Sequence, residues 1–218
     1  MNGKKKVVAA GILLFAVVAG YFVMIKYNDH KRIEKVDHSL ENSAQSEELF
    51  AKKQRNLAET SKMENKLYHT ILSLKVDQNE EITKITKEAQ KLIEQQDQYL
   101  QEMEQHFDQA YSSIAVIKPL VKKMKGQKTE NSTTTMLQLF EKRQQIYNSY
   151  CKDYKRLLAL NKHLYEKLEN KQYNEEELDK EVEQINQIYH NIKNQEQQFN
   201  QYTEKYNDEK MRYEQLTS

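Results

Sequence analysis

The sequence is nearly devoid of residues that interrupt a regular backbone. It holds four glycines and one proline in 218 residues, and three of the glycines fall in the first twenty. From Tyr27 to Ser218 only Pro119 and Gly126 break regular structure through their own chemistry. A β-rich domain of that length needs many more turn residues, so long helices are what remains. The single cysteine, Cys151, excludes an intramolecular disulfide framework and a cysteine-rich metal site. No Gly-rich phosphate loop is present. A surplus of one charge is also missing, because 34 basic residues face 33 acidic ones for a net +1. Phosphate binding relies on a basic excess or a basic face, so nucleic acid is not an expected partner.

One long apolar run is present. Lys4, Lys5 and Lys6 precede Val7 to Ile25, nineteen residues without a charge. As a helix this run measures roughly 28 Å, close to the hydrocarbon thickness of a bilayer. Val18-Ala19-Gly20 has the small residues of a signal cleavage site, and Tyr21 stands where a lipoprotein signal would carry its cysteine. A thioether lipid cannot attach to tyrosine. A cleaved signal has a shorter apolar stretch than this one, which continues through Tyr21, Phe22, Val23, Met24 and Ile25. An uncleaved transmembrane anchor is therefore the expectation, with a cleaved signal as the alternative. Lysine and arginine are nearly balanced across the run, with Lys4, Lys5 and Lys6 before it and Lys26, Lys31, Arg32 and Lys35 after it. The orientation chosen keeps the short tail inside and exports the rest. Residues 1–26 are thus read as a membrane anchor or signal segment and residues 27–218 as an extracytoplasmic helical bundle.

Four segments of that second part space apolar residues by alternating threes and fours, the seam of a coiled coil or antiparallel bundle. The first runs Ile33, Val36, Leu40, Phe50, Leu57, Tyr68, Ile71. Glu47, Gln54, Ser61 and Glu64 occupy seam positions in its middle, where packing is expected to be weak. The second runs Ile82, Ile85, Ala89, Leu92, Tyr99, Met103, Ala110, Ile117, Val121, Met124. The third runs Met136, Phe140, Tyr147, Tyr150, Tyr154, Leu157, Leu164, Leu168, and the fourth Leu178, Val182, Ile185, Tyr189, Ile192, Phe199, Tyr206, Tyr213. Helix starts are expected at Asp77 with Glu80, Thr135 with Gln138, and Asn174 with Glu177, each a capping residue followed by an acid or amide three places on. Gly126 is expected to end the second helix and QKTENSTT, residues 127–134, to form the longest loop. Pro119 is expected to kink the second helix without ending it.

Charge differs between the last two helices. Residues 132–173 carry eight basic and four acidic residues (+4), and residues 174–218 five basic and eleven acidic (−6). A short connection makes them antiparallel neighbours, with opposite charge flanking the seam and fixing register more than stability. The predicted fold is all-α: an elongated, antiparallel, coiled-coil-like bundle of about four long helices behind an N-terminal transmembrane or signal-anchor helix.

Few residues point to chemistry. The histidines at 30, 38, 69, 106, 163 and 190 form no His-x-x-x-His or Glu-x-x-His pair, so no metal site is expected. Cys151 lacks a matched His-Asp or His-Asn set for a nucleophile and reads as a small packing residue. No catalytic residue and no cofactor are assigned. Tyr147, Tyr150 and Tyr154 make a stripe at helical spacing that reads first as core and second as an aromatic platform for a sugar strand. Lys118, Lys122, Lys123, Lys125 and Lys128 form a basic cluster, read first as a solvated helix end and second as a contact for an anionic polymer or lipid headgroups.

The run EVEQINQIYHNIKNQEQQFNQYTEKYNDEKMRYEQ, Glu181 to Gln215, resembles the end of the YkyA-like family, with most of the similarity in QFNQYTEKYNDEK, Gln198 to Lys210. NKLYHTILSL at Asn65 to Leu74, IKP at Ile117 to Pro119 and EKRQQIYNSYCKDYKRLLALNKHLYEKL at Glu141 to Leu168 add to it, so that the resemblance covers about residues 35–215. It implies a helical cell-wall binding lipoprotein of Bacillus-type bacteria, held at the outer face of the membrane, with no established binding residues to carry over. This sequence departs from the family at Tyr21, where the lipid-bearing cysteine is missing. The resulting expectation is a non-enzymatic, membrane-anchored envelope protein whose partner is cell wall polymer. The alternative is a coiled-coil scaffold that recruits a protein partner or self-associates, with the polar middle of the first helix as an exchangeable seam. An enzyme built on Cys151 is a third option without a supporting constellation.

Overall fold

A computed structural model of the chain describes residues 2–74, 78–124, 127–170 and 174–217, with side chains described from His30 onward except those of Leu72, Gln127 and Glu175. Four long helices and one short one make up the fold: α1 (Asn2–Ser73), α2 (Asn79–Ala115), α3 (Lys118–Val121), α4 (Gln127–Asn170) and α5 (Glu175–Thr217). No strand occurs among the described residues. At about 1.5 Å per residue, α4 and α5 are each roughly 65 Å long. α1 packs on α2, α2 on α4, and α4 on α5. Consecutive long helices run antiparallel, so α1 and α5 lie at the two ends of this packing order. Their backbones seldom come close, and they meet mainly through long side chains.

The apolar seams build a layered core in two stretches. Near the first-helix end, Val36, Leu40, Ala110, Ile114, Ile117, Met136, Phe140, Tyr206 and Tyr213 pack together. Beyond them Phe50, Phe107 and Tyr147 meet ring against ring, with Phe50–Phe107 centroids 5.4 Å apart and Phe107–Tyr147 4.5 Å. The core then continues through Leu57, Leu100, Leu157 and Ile188 toward the α4–α5 connection. Aromatic pairs at these separations add to the energy of burial alone.

Three sequence expectations change at the helix boundaries. QKTENSTT is not a loop, because α4 begins at Gln127 and contains it. Thr133, Thr134 and Thr135 turn their hydroxyls back on the carbonyls of Thr129, Glu130 and Asn131 at 2.8–2.9 Å, which satisfies them inside the helix. Ser132 and Thr133 are buried, so packing overrides the loop-like composition, and Thr135 lies within a helix that it does not start. Pro119 does not kink a continuous helix either. α2 stops at Ala115, and Pro119 stands in the first turn of the separate α3. Proline has no N–H to give the Ala115 carbonyl, and the chain passes through tight bonds from Ile117 N to Ile114 O (3.0 Å) and Leu120 N to Ile117 O (2.8 Å). The third start signal is found as expected: Glu177 N donates to Asn174 Oδ1 at 2.8 Å. Asp77 and Gly126 lie outside the described residues.

The middle of α1 is polar, as read, but it is not weakly held. Glu47 Oε2 receives Arg143 Nη2 at 2.5 Å, and Arg143, at 2% exposure, is the bulkiest fully buried side chain among the described residues. Its Nε donates to Thr203 Oγ1 at 3.1 Å. Its planar group lies 4.9 Å from the ring centres of Phe140 and Tyr206, 5.2 Å from Phe199 and 5.7 Å from Phe107. Ring faces carry negative charge density and stabilise a desolvated cation. One guanidinium thereby touches α1, α2, α4 and α5.

The +4 and −6 helices do run side by side and antiparallel. Lys167 and His163 of α4 both reach Glu181 of α5, at 3.1 and 2.6 Å. The positive charge of α4 is not reserved for α5, since Lys155 pairs with Glu104 of α2 at 2.7 Å. Glu47→Ala strands the buried guanidinium and is expected to cost about 3 kcal/mol in chemical denaturation. Adding Arg143→Met removes the stranded charge and recovers most of that loss. A double variant no more stable than the single one would contradict this balance.

Candidate binding groove

Because α1 and α5 are not packed backbone to backbone, a groove of about 860 Å³ opens between them next to the aromatic layer. That size is in the range of ligand sites. Its floor is Tyr150 and Tyr154 of α4 with Leu57 of α1, and Tyr189 and Ile192 of α5 close its other side. Gln54, Ser61 and Asn65 of α1 and Asn200 of α5 supply amides and a hydroxyl. Arg55, Lys62 and Lys193 against Glu196 give its lysine, arginine and carboxylate side chains a sum of +2.

The tyrosines are positioned by helix periodicity. Tyr147, Tyr150 and Tyr154 are all buried in the core, and Tyr150 and Tyr154 also form the groove floor. Tyr154 fixes its ring by donating to Gln96 Oε1 at 2.8 Å. Burial raises its hydroxyl above the ordinary tyrosine range. Tyr189 is pushed up to about 12, first by burial and then by the charge of Glu64. These phenols therefore stay neutral.

A small pocket of about 20 Å³ opens off the groove beside Phe50, Met103, Tyr147 and Phe199. It has room for one water or one hydroxyl group. Two of its lining residues carry buried polar atoms that lack partners. Gln195 gives its amide nitrogen to Asp153 at 2.8 Å, which leaves its buried Oε1 without a donor. The Tyr147 hydroxyl has no oxygen or nitrogen partner, its polar neighbour being the Cys151 thiol.

Below the groove floor, the buried Glu64 receives the Tyr165 hydroxyl and the Asn161 amide (3.4 Å). Burial raises its carboxyl above the ordinary value, and the Tyr165 hydrogen bond opposes that only in part. Cys151 is buried, and burial pushes its thiol up to about 12, the wrong direction for a nucleophile. Among the described residues no group of three or more His, Cys, Asp or Glu is placed to hold a metal ion. His190 borders the groove, while His163 is engaged by Glu181 at the far end. Of the residues singled out in the sequence, the structure brings Tyr150 and Tyr154 into the groove and leaves Tyr147 and Cys151 in the core behind it. Gln195, Asn200, Lys193 and Arg143 were not read as site residues. Arg143 alone had a signal, since it falls in register between Phe140 and Tyr147 on the seam of the third helix.

A carboxyl whose folded pKa lies above its unfolded value holds its proton more firmly in the fold. Stability is then complete on the acid side and falls as pH rises from about 4.5 through the raised value of Glu64. Glu64→Gln keeps an acceptor for Tyr165 without the charge. It is expected to match the parent at acid pH and exceed it at mildly alkaline pH, the gap growing by about 1.4 kcal/mol per pH unit inside that window. Denaturation midpoints across pH measure this, and parallel curves would contradict it.

Comparisons with known proteins agree with the resemblance read in the sequence. The pattern of the YkyA family, described as "Putative cell-wall binding lipoprotein", matches residues 31–216. The "Uncharacterized lipoprotein YkyA" of Bacillus subtilis (strain 168) is 29% identical over 204 residues, covering 90% of this chain and 88% of that protein. No solved structure matches the chain. Among the described residues no helix is long and apolar enough to cross a membrane, and Val7–Ile25, on which the anchor expectation rests, lies outside the residues whose side chains are described. The family pattern spans residues 31–216, most of the chain, and this chain therefore belongs to the YkyA family.

Proposed function

We propose that the chain is a non-enzymatic, extracytoplasmic protein, tethered to the membrane through Val7–Ile25, that binds cell wall polymer in the α1–α5 groove. The observation that carries this reading is the groove itself. Flat tyrosine faces suit the C–H surfaces of sugar rings. The amides of Gln54, Asn65 and Asn200 suit hydroxyl groups, and the pocket beside Gln195 has room for one. The excess of Arg55, Lys62 and Lys193 over Glu196 suits a carbohydrate polymer with acidic substituents. The family description supports the same class of partner. Nothing in the groove activates a nucleophile, and the one thiol is buried with its proton held.

A second reading draws on α1. Leu49 and Met63 are both exposed, at 48% and 53%, and stand fourteen residues apart, two heptads, on one stripe of the helix. Such a stripe suits a helix of a protein partner or of a second copy. In-cell crosslinking from Met63 separates the two readings, since a protein adduct favours the scaffold.

Retention of the full chain on purified cell wall tests the first reading. Tyr189→Ala is expected to weaken retention about tenfold, and Lys193→Glu to weaken it further at low salt. Cys151→Ala is expected to leave it unchanged. Equal retention of Tyr189→Ala and the parent would remove the groove from the binding function.

A further inference from the structure

The basic cluster lies at one defined end of the bundle. Arg32 Nη1 of α1 donates to the carbonyl of Lys123 at 2.5 Å, so the turn after α3 is docked against the start of the described part of α1. Arg32 is seven residues from Ile25, about 10 Å along a helix, and Ile25 ends the apolar run. The α2–α4 connection is therefore the part of the bundle beside which the anchor emerges. Between Val116 and Lys128 the chain contains no acidic residue. Lys118, Lys122, Lys123 and Lys128 are all exposed. Lys118 is engaged by Glu141 at 2.9 Å, whereas Lys122, Lys123 and Lys128 form no ion pair among the described residues.

The backbone that carries Lys118, Lys122 and Lys123 is packed against the core. Ile117, Val121 and Met124 are buried in the same core stretch as Val36, Met136 and Tyr213, which pins one face of the connection to α1, α4 and α5. The other face presents the ammonium groups, with Val116 apolar and 57% exposed beside them. A fixed basic surface with an exposed apolar side chain, at the height where a spanning segment leaves the bilayer, matches the phosphate layer of a membrane.

We propose that this connection is a lipid contact: Lys122, Lys123 and Lys128 rest on the anionic phosphate headgroups of the membrane that holds Val7–Ile25, and so set the angle at which the bundle stands. The proposal rests on the anchor reading above and concerns a surface at the end of the rod, apart from the groove. Juxtamembrane lysines gain attraction from anionic lipid that fades within a Debye length, so the contact is sensitive to both lipid charge and salt.

The test uses the full chain in lipid nanodiscs, either of phosphatidylcholine alone or with phosphatidylglycerol added. An amine-reactive reagent labels the lysines and mass spectrometry reads each site. Labelling of Lys122, Lys123 and Lys128 is expected to slow about fivefold in the anionic discs and to recover at high salt. Lys162 and Lys180, toward the opposite end, are expected to label equally in both. Lys122→Glu with Lys123→Glu, at exposed positions, is expected to abolish the lipid dependence at Lys128 while the circular dichroism stays helical. Equal rates in the two kinds of disc would overturn the proposal. So would protection that appears in neutral discs only when soluble wall polymer is added, which would assign the cluster to the wall. Flotation with neutral vesicles reports the anchor separately, so a failed anchor and a failed lipid contact give different results.

Discussion

A buried guanidinium sets the terms for the whole bundle. Arg143 has almost no exposure, and a desolvated charge without compensation is among the more costly things a core can contain. It is tolerated because Glu47 comes from α1, Thr203 from α5, and ring faces from α2, α4 and α5. Each helix contributes something the charge requires, so the four helices have one common register at this level. A slide of α1 or α5 by a turn would move Glu47 or Thr203 out of reach. Apolar seams alone, with their repeated threes and fours, do not exclude such slides.

The clamp also explains where the groove lies. α1 and α5 are joined at Glu47–Arg143–Thr203 and, nearer the α2–α4 connection, at Asp37–Tyr213. Past the Phe50–Phe199 contact the two helices meet at Ser61 and Tyr189, and among the described residues no ion pair joins them there. There the seam of α1 offers Gln54 and Ser61, while α5 offers Glu196 and Lys193, and none of these closes an apolar interface. The helices stay apart, and the tyrosines of α4, which would be deep core in a closed four-helix ring, become the floor of a cleft. Seam polarity that looks like poor packing in one helix is the reason for an opening between two.

Much of this was legible in the sequence. Scarcity of glycine and proline restricts the class to long helices, and the spacing of Val36, Leu40, Phe50 and Leu57, or of Ile185, Tyr189 and Ile192, marks the inward faces. Asn174 announced the start of α5 through chemistry that needs no tertiary partner. The misses share one cause. Gln127 to Thr134 has the composition of a loop, yet it becomes helical because Ser132 and Thr133 find a buried place against other helices. Pro119 ends α2 where the pattern of Leu120 and Val121 suggested continuity, because the core continues across the break even though the hydrogen bonds do not. Glu47 and Glu64 looked like defects until their partners, ninety-six and one hundred and one residues away, were in view. The width of the α1–α5 gap depends on distances between helices, and no local spacing encodes it.

The central claim is that the Glu47–Arg143 pair holds α1 and α5 at a fixed separation and thereby shapes the groove. The most direct measurement is the spin-label distance between Lys62 on α1 and Lys193 on α5, each replaced by a labelled cysteine in a Cys151→Ala background. The clamp predicts one narrow distance distribution in that background, broadened and shifted when Glu47→Gln is added. A distribution unchanged by Glu47→Gln would show that the separation is set elsewhere and would contradict the claim.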